Sequence, residues 1–329
     1  MKKSFYSCFA SDLDIFIQTK HQNGFLYESA EYILHQFDVF CSGRQLCNPE
    51  ITKDLVNDWL ACYDGNCAVT TAGRASVIRQ FSLYLLSMGK NAYIPSQKFR
   101  GKQRLAHVMS DPEIMELFEQ IDLYIPDSKI PSFHRLAMEY RVIFRLLLCC
   151  GLRVSEARKL KKQDVSLKEG ILIIRCSKGN KDRIVYLPED LRELCLQYAE
   201  QMPSSHPDAS EWFFPAREMD NLLTVGIIDR RFNLAWNSTS FAGICPNKPT
   251  VHSLRHTFVV KRMNQWMKED IPLDSMLPYL SKYLGHSSVE DTFYYYHQID
   301  AAFNLVRVKD NKSKMIIPEV ADHEDDIFE

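Results

Sequence analysis

No apolar run of the 329-residue chain is long enough to span a membrane, and the stretch near Val142 to Leu152 is interrupted by Arg145. The N-terminus reaches Asp12 and Asp14 before any apolar core of signal-peptide length appears, so export and membrane insertion are not expected. Among ten cysteines there is no Cys-x-x-Cys pair, and Cys149 and Cys150 are adjacent, which argues against a disulfide framework and for reduced thiols in a cytoplasmic setting. Internal repeats are absent, and so is an excess of positive charge. The formal net charge is −2, an unpromising value for a partner of nucleic acid. Part of that deficit is local. Residues 318–329 hold six acids and no Lys or Arg, and without them forty basic residues face thirty-six acidic ones. This segment is expected to be a disordered acidic tail.

The hydrophobic share of 46% and charged share of 25% are globular averages, and the length suits two domains. Apolar repeats at Leu13, Phe16 and Ile17, at Tyr32, Ile33, Phe37 and Phe40, and at Val77, Ile78, Phe81, Leu85 and Leu86 predict a helical domain over residues 1–105. Thr52 is placed to start the segment through Trp59, and Thr70 or Thr71 to cap the helix that ends near Gly89. Periodicity is then lost over about 91–105, where Lys98, Arg100, Lys102 and Arg104 alternate in an expected interdomain linker. A second domain, 106–317, opens with the helix-start signal Asp111-Pro112. Its buried helix, marked by Leu136, Tyr140, Ile143, Phe144, Leu147 and Leu148, is expected to stop at Gly151. Ser155 is a candidate cap for the short helix after Arg153. The β-rich runs Ile171 to Cys176 and Arg183 to Leu187 read as a hairpin turning at Gly179-Asn180. The fold class is therefore mainly α, with a small antiparallel sheet in the second domain.

Five patches carry reactive groups: Arg153, Lys178, the run His252-Ser253-Leu254-Arg255, His286, and Tyr294 to Tyr296. Singly, each has an ordinary reading as a surface or ion-paired group. In this order, Gly151-Leu152-Arg153-Val154-Ser155-Glu156-Ala157, Ser177-Lys178-Gly179-Asn180-Lys181, His252-Ser253-Leu254-Arg255-His256-Thr257-Phe258 and Leu284-Gly285-His286-Ser287-Ser288 resemble the signature blocks of the tyrosine recombinases, or phage-type integrases. The first domain is similar to the family's core-binding clamp in size, helicity and position.

The resemblance implies a DNA breaking-rejoining fold and a recombinase or integrase, of the kind carried by mobile elements, that uses neither metal nor another cofactor. Arg153 and Arg255 would grip the scissile phosphate through paired hydrogen bonds. His252 would act as base toward the phenol, His286 as phosphate donor, and Lys178 as acid toward the departing 5′ oxygen. The family places its nucleophile nine residues beyond the Leu-Gly-His histidine and two before another, which here selects Tyr295 between His286 and His297. A capping box at Ser287 to Glu290 is expected to start the helix carrying it, through Ile299. DNA contacts are assigned to Lys98, Arg100, Lys102, Arg104 and Lys181. The implied partners are double-stranded DNA, a homotetramer across two sites and an accessory directionality factor. An apolar stripe at Ile299, Ala302, Phe303 and Val306 is expected to dock on a neighbouring protomer.

Three other readings are weighed. A non-catalytic DNA-binding protein would not need every reactive position filled, and a type IB topoisomerase would share the chemistry without pairing sites. A zinc hydrolase is suggested by His252 and His256 at helical spacing, but Ser253 stands where the glutamate of the helical zinc-protease motif would lie. The 34 residues from His252 to His286 are more than the family pattern leads one to expect, and Asp270-Ile271-Pro272 is read as an enlarged loop.

Overall fold

The computed structural model describes residues 4–44, 46, 50–63, 68–96, 106–127, 129–177, 181–201, 210–218 and 220–295. Lys178, the linker residues Lys98 to Arg104, Tyr296, His297, the stripe from Ile299 to Val306 and the acidic tail lie outside them. The chain divides into two compact units, Met1–Leu105 and Ala106–Glu329. No helix among the described residues is long and apolar enough to cross a membrane.

The first unit packs α1 (Ala10–Gln22), α2 (Glu28–Ser42), α3 (Lys53–Ala61) and α4 (Ala68–Ser87) around Phe9, Leu13, Phe37, Trp59, Phe81 and Leu85, all essentially inaccessible to solvent. Thr52 caps α3, its Oγ1 accepting from the Leu55 N–H at 3.1 Å. Thr70 and Thr71 do not cap α4. That helix is already formed at Ala68, so both threonines sit inside its first turn.

The second unit is built on α6 (Pro131–Cys149), whose Val142, Phe144 and Leu146 are fully buried. Around it lie α5 (Asp111–Asp122), α7 (Val154–Arg158), α8 (Glu189–Gln201), α9 (Val225–Asn237), α10 (Val251–Lys268), α11 (Leu273–Leu284) and the one-turn α12 (Glu290–Phe293). The sheet has order β1-β2-β3 from Val165–Ser166, Ile171–Ile174 and Arg183–Tyr186, antiparallel throughout. Leu172 pairs with Val185 and Ile174 with Arg183, so Leu172, Ile174 and Val185 turn into the core. The pairing of the two β-rich runs thus holds, with β1 added beside them, while the expected Gly179-Asn180 turn lies outside the described residues. The interval between His252 and His286 is not an enlarged loop. Two helices fill it, and Asp270, at φ +56°, turns the chain within the short link between them.

Candidate active site

Three chain reversals place the reactive groups. Just past the end of α6, Gly151, with φ of +62° and no β carbon, lets the Phe258 ring of α10 approach. A Cβ there would lie 2.4 Å from that ring. The chain leaves this turn extended at Arg153, which is itself the N-cap of α7. Ser155 is therefore not the cap. Glu156, three residues after Arg153, accepts its backbone N–H at 2.8 Å, so a carboxylate closes the helix start from within. The second reversal is at Gly285, φ +65°, which ends α11 and presents His286. The third is the turn after α12 that carries Tyr294 and Tyr295.

The two arginines are latched to these helix ends in a crossed manner. Arg255 on α10 donates to the carbonyl of Gly151 at 2.6 Å and to that of Leu284 at 2.8 Å. Arg153 donates to the carbonyl of Gly285 at 3.2 Å. Unpaired carbonyls at helix C-termini are partial negative charges, so each guanidinium is held where its charge is favoured. Arg255 is 2% exposed, and burial, together with the nearby Arg153, lowers its pKa to about 10, which still leaves it cationic at neutral pH.

Glu156 is the hub that the sequence did not disclose. It accepts from Arg153 Nη1 at 2.8 Å, from Ser177 Oγ at 2.6 Å, and from both Nη atoms of Arg183 at 2.9 and 2.8 Å. Burial alone would raise its pKa, yet the Arg183, Ser177 and Arg153 hydrogen bonds outweigh it and bring the carboxyl to about 2. Arg183 also donates to the Tyr283 carbonyl at 2.7 Å, tying β3 to α11. Three guanidiniums and one carboxylate leave a positive cradle suited to a phosphodiester.

His286 joins this cradle. Arg255 Nη2 donates to its Nε2 at 3.1 Å, and Nδ1 lies 2.8 Å from Thr292 Oγ1. Since a guanidinium can only donate, Nε2 is the acceptor and the ring proton sits on Nδ1. Burial and the charges of Arg255 and Arg153 lower the His286 pKa to about 4. In this arrangement His286 is neutral, and donation to a phosphate from Nε2 requires a second proton. His252 is exposed at its edge, but crowding by protein atoms, then Arg255 and Arg153, still lower its pKa. It is therefore a free base at neutral pH.

Tyr295 is 4% exposed, close enough to Arg255 for that charge to act on its hydroxyl. Burial raises the phenol pKa, opposed by Arg255. The expected capping box is absent, because α12 starts at Glu290 with Val289 as N-cap and no side-chain cap. The tyrosine ring instead leans on His256, 5.2 Å between centroids, and His256 stands edge-on to His252 at 4.6 Å. His256 is 9% exposed and its Nδ1 has no partner. Burial and the neighbouring His252 lower its pKa to about 4, so it is a neutral wall of the site. The His252–His256 pair gains no third metal ligand among the described residues, which removes the support for the zinc-hydrolase reading.

Arg153, His252, Arg255, His286 and Tyr295 are thus brought together. Lys181 is exposed, and its carbonyl accepts from the Ser177 N–H at 3.2 Å. Glu156, Ser177, Arg183, His256 and Thr292 were not singled out for the site by sequence.

Residues 113–302 match the profile of the phage integrase family. A putative integrase/recombinase, y4rE, of Sinorhizobium fredii is 27% identical over 282 residues, covering 85% of this chain and 88% of that protein. Tyrosine recombinase XerD of Pseudomonas aeruginosa is 28% identical over 273 residues, covering 80% and 83% of the two chains. In fold, the chain is similar to XerH site-specific recombinase bound to a palindromic difH substrate, at TM-score 0.62 and 20% identity over 88% of this chain and 80% of that one. It is also similar to a lambda integrase in a tetramer bound to a Holliday junction, at TM-score 0.57 and 17% identity over 86% and 76%. With more than half of its length matching the family profile and the cradle in place, this chain belongs to the phage integrase family, the tyrosine recombinases.

Proposed function

We propose that this protein cleaves and rejoins DNA at specific sites through a 3′-phosphotyrosine intermediate. The observation that carries the reading is the single guanidinium of Arg255, which donates to His286 beside Arg153 while the buried Tyr295 ring packs on His256 next to His252. A phosphate drawn to the two arginines would stand next to the phenol.

In the proposed step the Tyr295 oxygen attacks phosphorus as its proton passes to His252. The bond from phosphorus to the 5′ oxygen breaks, and Lys178 protonates the departing alkoxide. Arg153 and Arg255 hold the non-bridging oxygens and stabilise the added negative charge of the transition state. That charge also opposes the cationic field that depresses His286, so the histidine can take a second proton and donate through Nε2. One diester is exchanged for another, which makes the step reversible and leaves no need for ATP or a catalytic metal. Support for the Lys178 role is that its neighbour Ser177 is anchored on Glu156 and lies 3.1 Å from Arg153.

The neighbours with DNA, including the lambda integrase tetramer, favour four protomers of this chain on two duplexes. The helical first unit and the basic linker from Lys98 to Arg104 would clamp the duplex, with Lys181 adding a backbone contact. An accessory directionality factor would bias the product. A nicked suicide substrate tests the chemistry. Arg153→Lys and Arg255→Lys are each expected to reduce covalent adduct by at least a hundredfold with site binding within about threefold, because lysine keeps the charge and loses the planar fork. Wild-type adduct from either variant would contradict the assignment.

A further inference from the structure

His286 is held by three elements of the second unit. Its backbone N–H donates to the Ser281 carbonyl of α11 at 3.0 Å, Arg255 of α10 donates to its Nε2, and its Nδ1 faces Thr292 Oγ1 of α12. Thr292 is in turn tied to the candidate nucleophile, because its carbonyl accepts the Tyr295 N–H at 3.1 Å. We propose that Thr292 is a positioning residue for strand cleavage, whose hydroxyl keeps the His286 proton on Nδ1 so that Nε2 takes the second proton and donates to the phosphate. The proposal rests on the phosphotyrosine reading of this site.

The hydroxyl is fixed before DNA arrives. Thr292 is fully buried, its N–H donates to the Val289 carbonyl at 2.8 Å, and its branched β carbon restricts side-chain rotation. Oγ1 is thereby held 2.8 Å from Nδ1. Valine in its place would fill the same volume, leaving no room for a water to stand in for the lost oxygen.

Without that oxygen the Nδ1–H would meet hydrocarbon, which disfavours the observed tautomer. Imidazole free in water prefers its proton on Nε2. A ring that reverted to this form would set an N–H against the Arg255 Nη2 donor, and two donors cannot share one hydrogen bond. The guanidinium would then lose one of the contacts that aim it at the phosphate. The second proton is affected as well. It comes from solvent and enters at Nε2 because Nδ1 is already protonated and bonded. The imidazolium then donates from Nδ1 to Thr292 and from Nε2 to a non-bridging oxygen. Since Thr292 accepts in both charge states, the ring need not turn during the reaction. Through the Tyr295 N–H, the same residue keeps the turn that carries the phenol in register with that ring.

The test uses full-length protein, a nicked suicide substrate and the nitrogen NMR shifts of isotope-labelled histidine, with the His286 signals assigned by their loss in His286→Leu. Thr292→Val keeps the shape and loses the oxygen, whereas Thr292→Ser keeps the oxygen and loses the methyl. Thr292→Val should slow adduct formation about tenfold or more, with site binding within about threefold, and should move the His286 proton to Nε2. Thr292→Ser should stay within about threefold of the wild-type rate and keep the proton on Nδ1. Added to His286→Leu, Thr292→Val should slow the reaction no further. If urea unfolding shows Thr292→Val misfolded, Thr292→Ala is compared with Thr292→Ser, since these two differ by the oxygen alone. A role in packing alone predicts the reverse order, serine slow and valine fast, and that result would overturn the proposal, as would an Nδ1–H tautomer in folded Thr292→Val. Wild-type protein that forms no adduct would overturn the phosphotyrosine reading itself, and is so told apart from a failure of Thr292 alone.

Discussion

A single carboxylate decides whether the cationic cradle can be assembled before DNA arrives. Arg153, Arg183 and Arg255 surround Glu156, with Arg255 Nη1 3.8 Å from Oε2, and without that negative charge three guanidiniums would be left in a partly buried space. Glu156→Gln keeps shape and removes charge. It should cost about 3 kcal/mol of stability, read from urea unfolding, and should reduce DNA cleavage more than DNA binding because Arg153 loses its anchor. A second consequence concerns pH. His256 and His286 have folded pKa values of about 4, below the unfolded value near 6.5, so their neutral forms favour the fold above pH 6.5. Stability should therefore fall as pH drops through 6.5 toward 4, when the unfolded chain takes up protons that the folded one refuses. His256→Phe should flatten this fall by an amount on the order of 1–3 kcal/mol between pH 7 and pH 4. An unchanged slope would mean that His256 is not held neutral.

The elements act through their ends more than through their faces. Gly151 closes α6, and its carbonyl receives Arg255, while Gly285 closes α11 and its carbonyl receives Arg153. Gly151→Ala would force a side chain into a left-handed turn and against Phe258, at a combined cost of about 3 kcal/mol. Thermal unfolding should show it, and residual folded protein should cleave DNA poorly because the Arg255 latch is displaced.

Much of this geometry was legible in sequence, since the blocks around Arg153, His252, Arg255 and His286 mark helix ends as well as chemistry. Glu156 stood inside a quoted block but carried no local sign of its partners, because Arg183 comes 27 residues later and resembles turn charge until strand pairing buries it. Likewise, Ser287 to Glu290 has the residue types of a capping box. The helix nonetheless begins two residues later than that box requires, with Val289 rather than Ser287 as N-cap, as Ser281 Oγ donates to the Ser288 carbonyl at 3.0 Å and His286 engages Thr292.

At the scale of the molecule, two compact units divide the work that the family resemblance implies: a helical unit with a dense aromatic core and a larger unit holding every described group of the cradle. The near-neutral net charge is compatible with that division, because the positive charge that matters is concentrated around one buried carboxylate instead of spread over the surface. The central claim is that Tyr295, buried beside Arg255 and His256, is the attacking phenol. Its most direct test is mass-spectrometric mapping of the covalent DNA–peptide adduct formed on a suicide substrate, with Tyr294, Tyr295 and Tyr296 each replaced by Phe. The account predicts that the nucleotide remnant maps to Tyr295, that Tyr295→Phe forms no adduct while still binding DNA, and that the other two variants retain it. An adduct on Tyr294 or Tyr296, or one formed by the Tyr295→Phe protein, would contradict it.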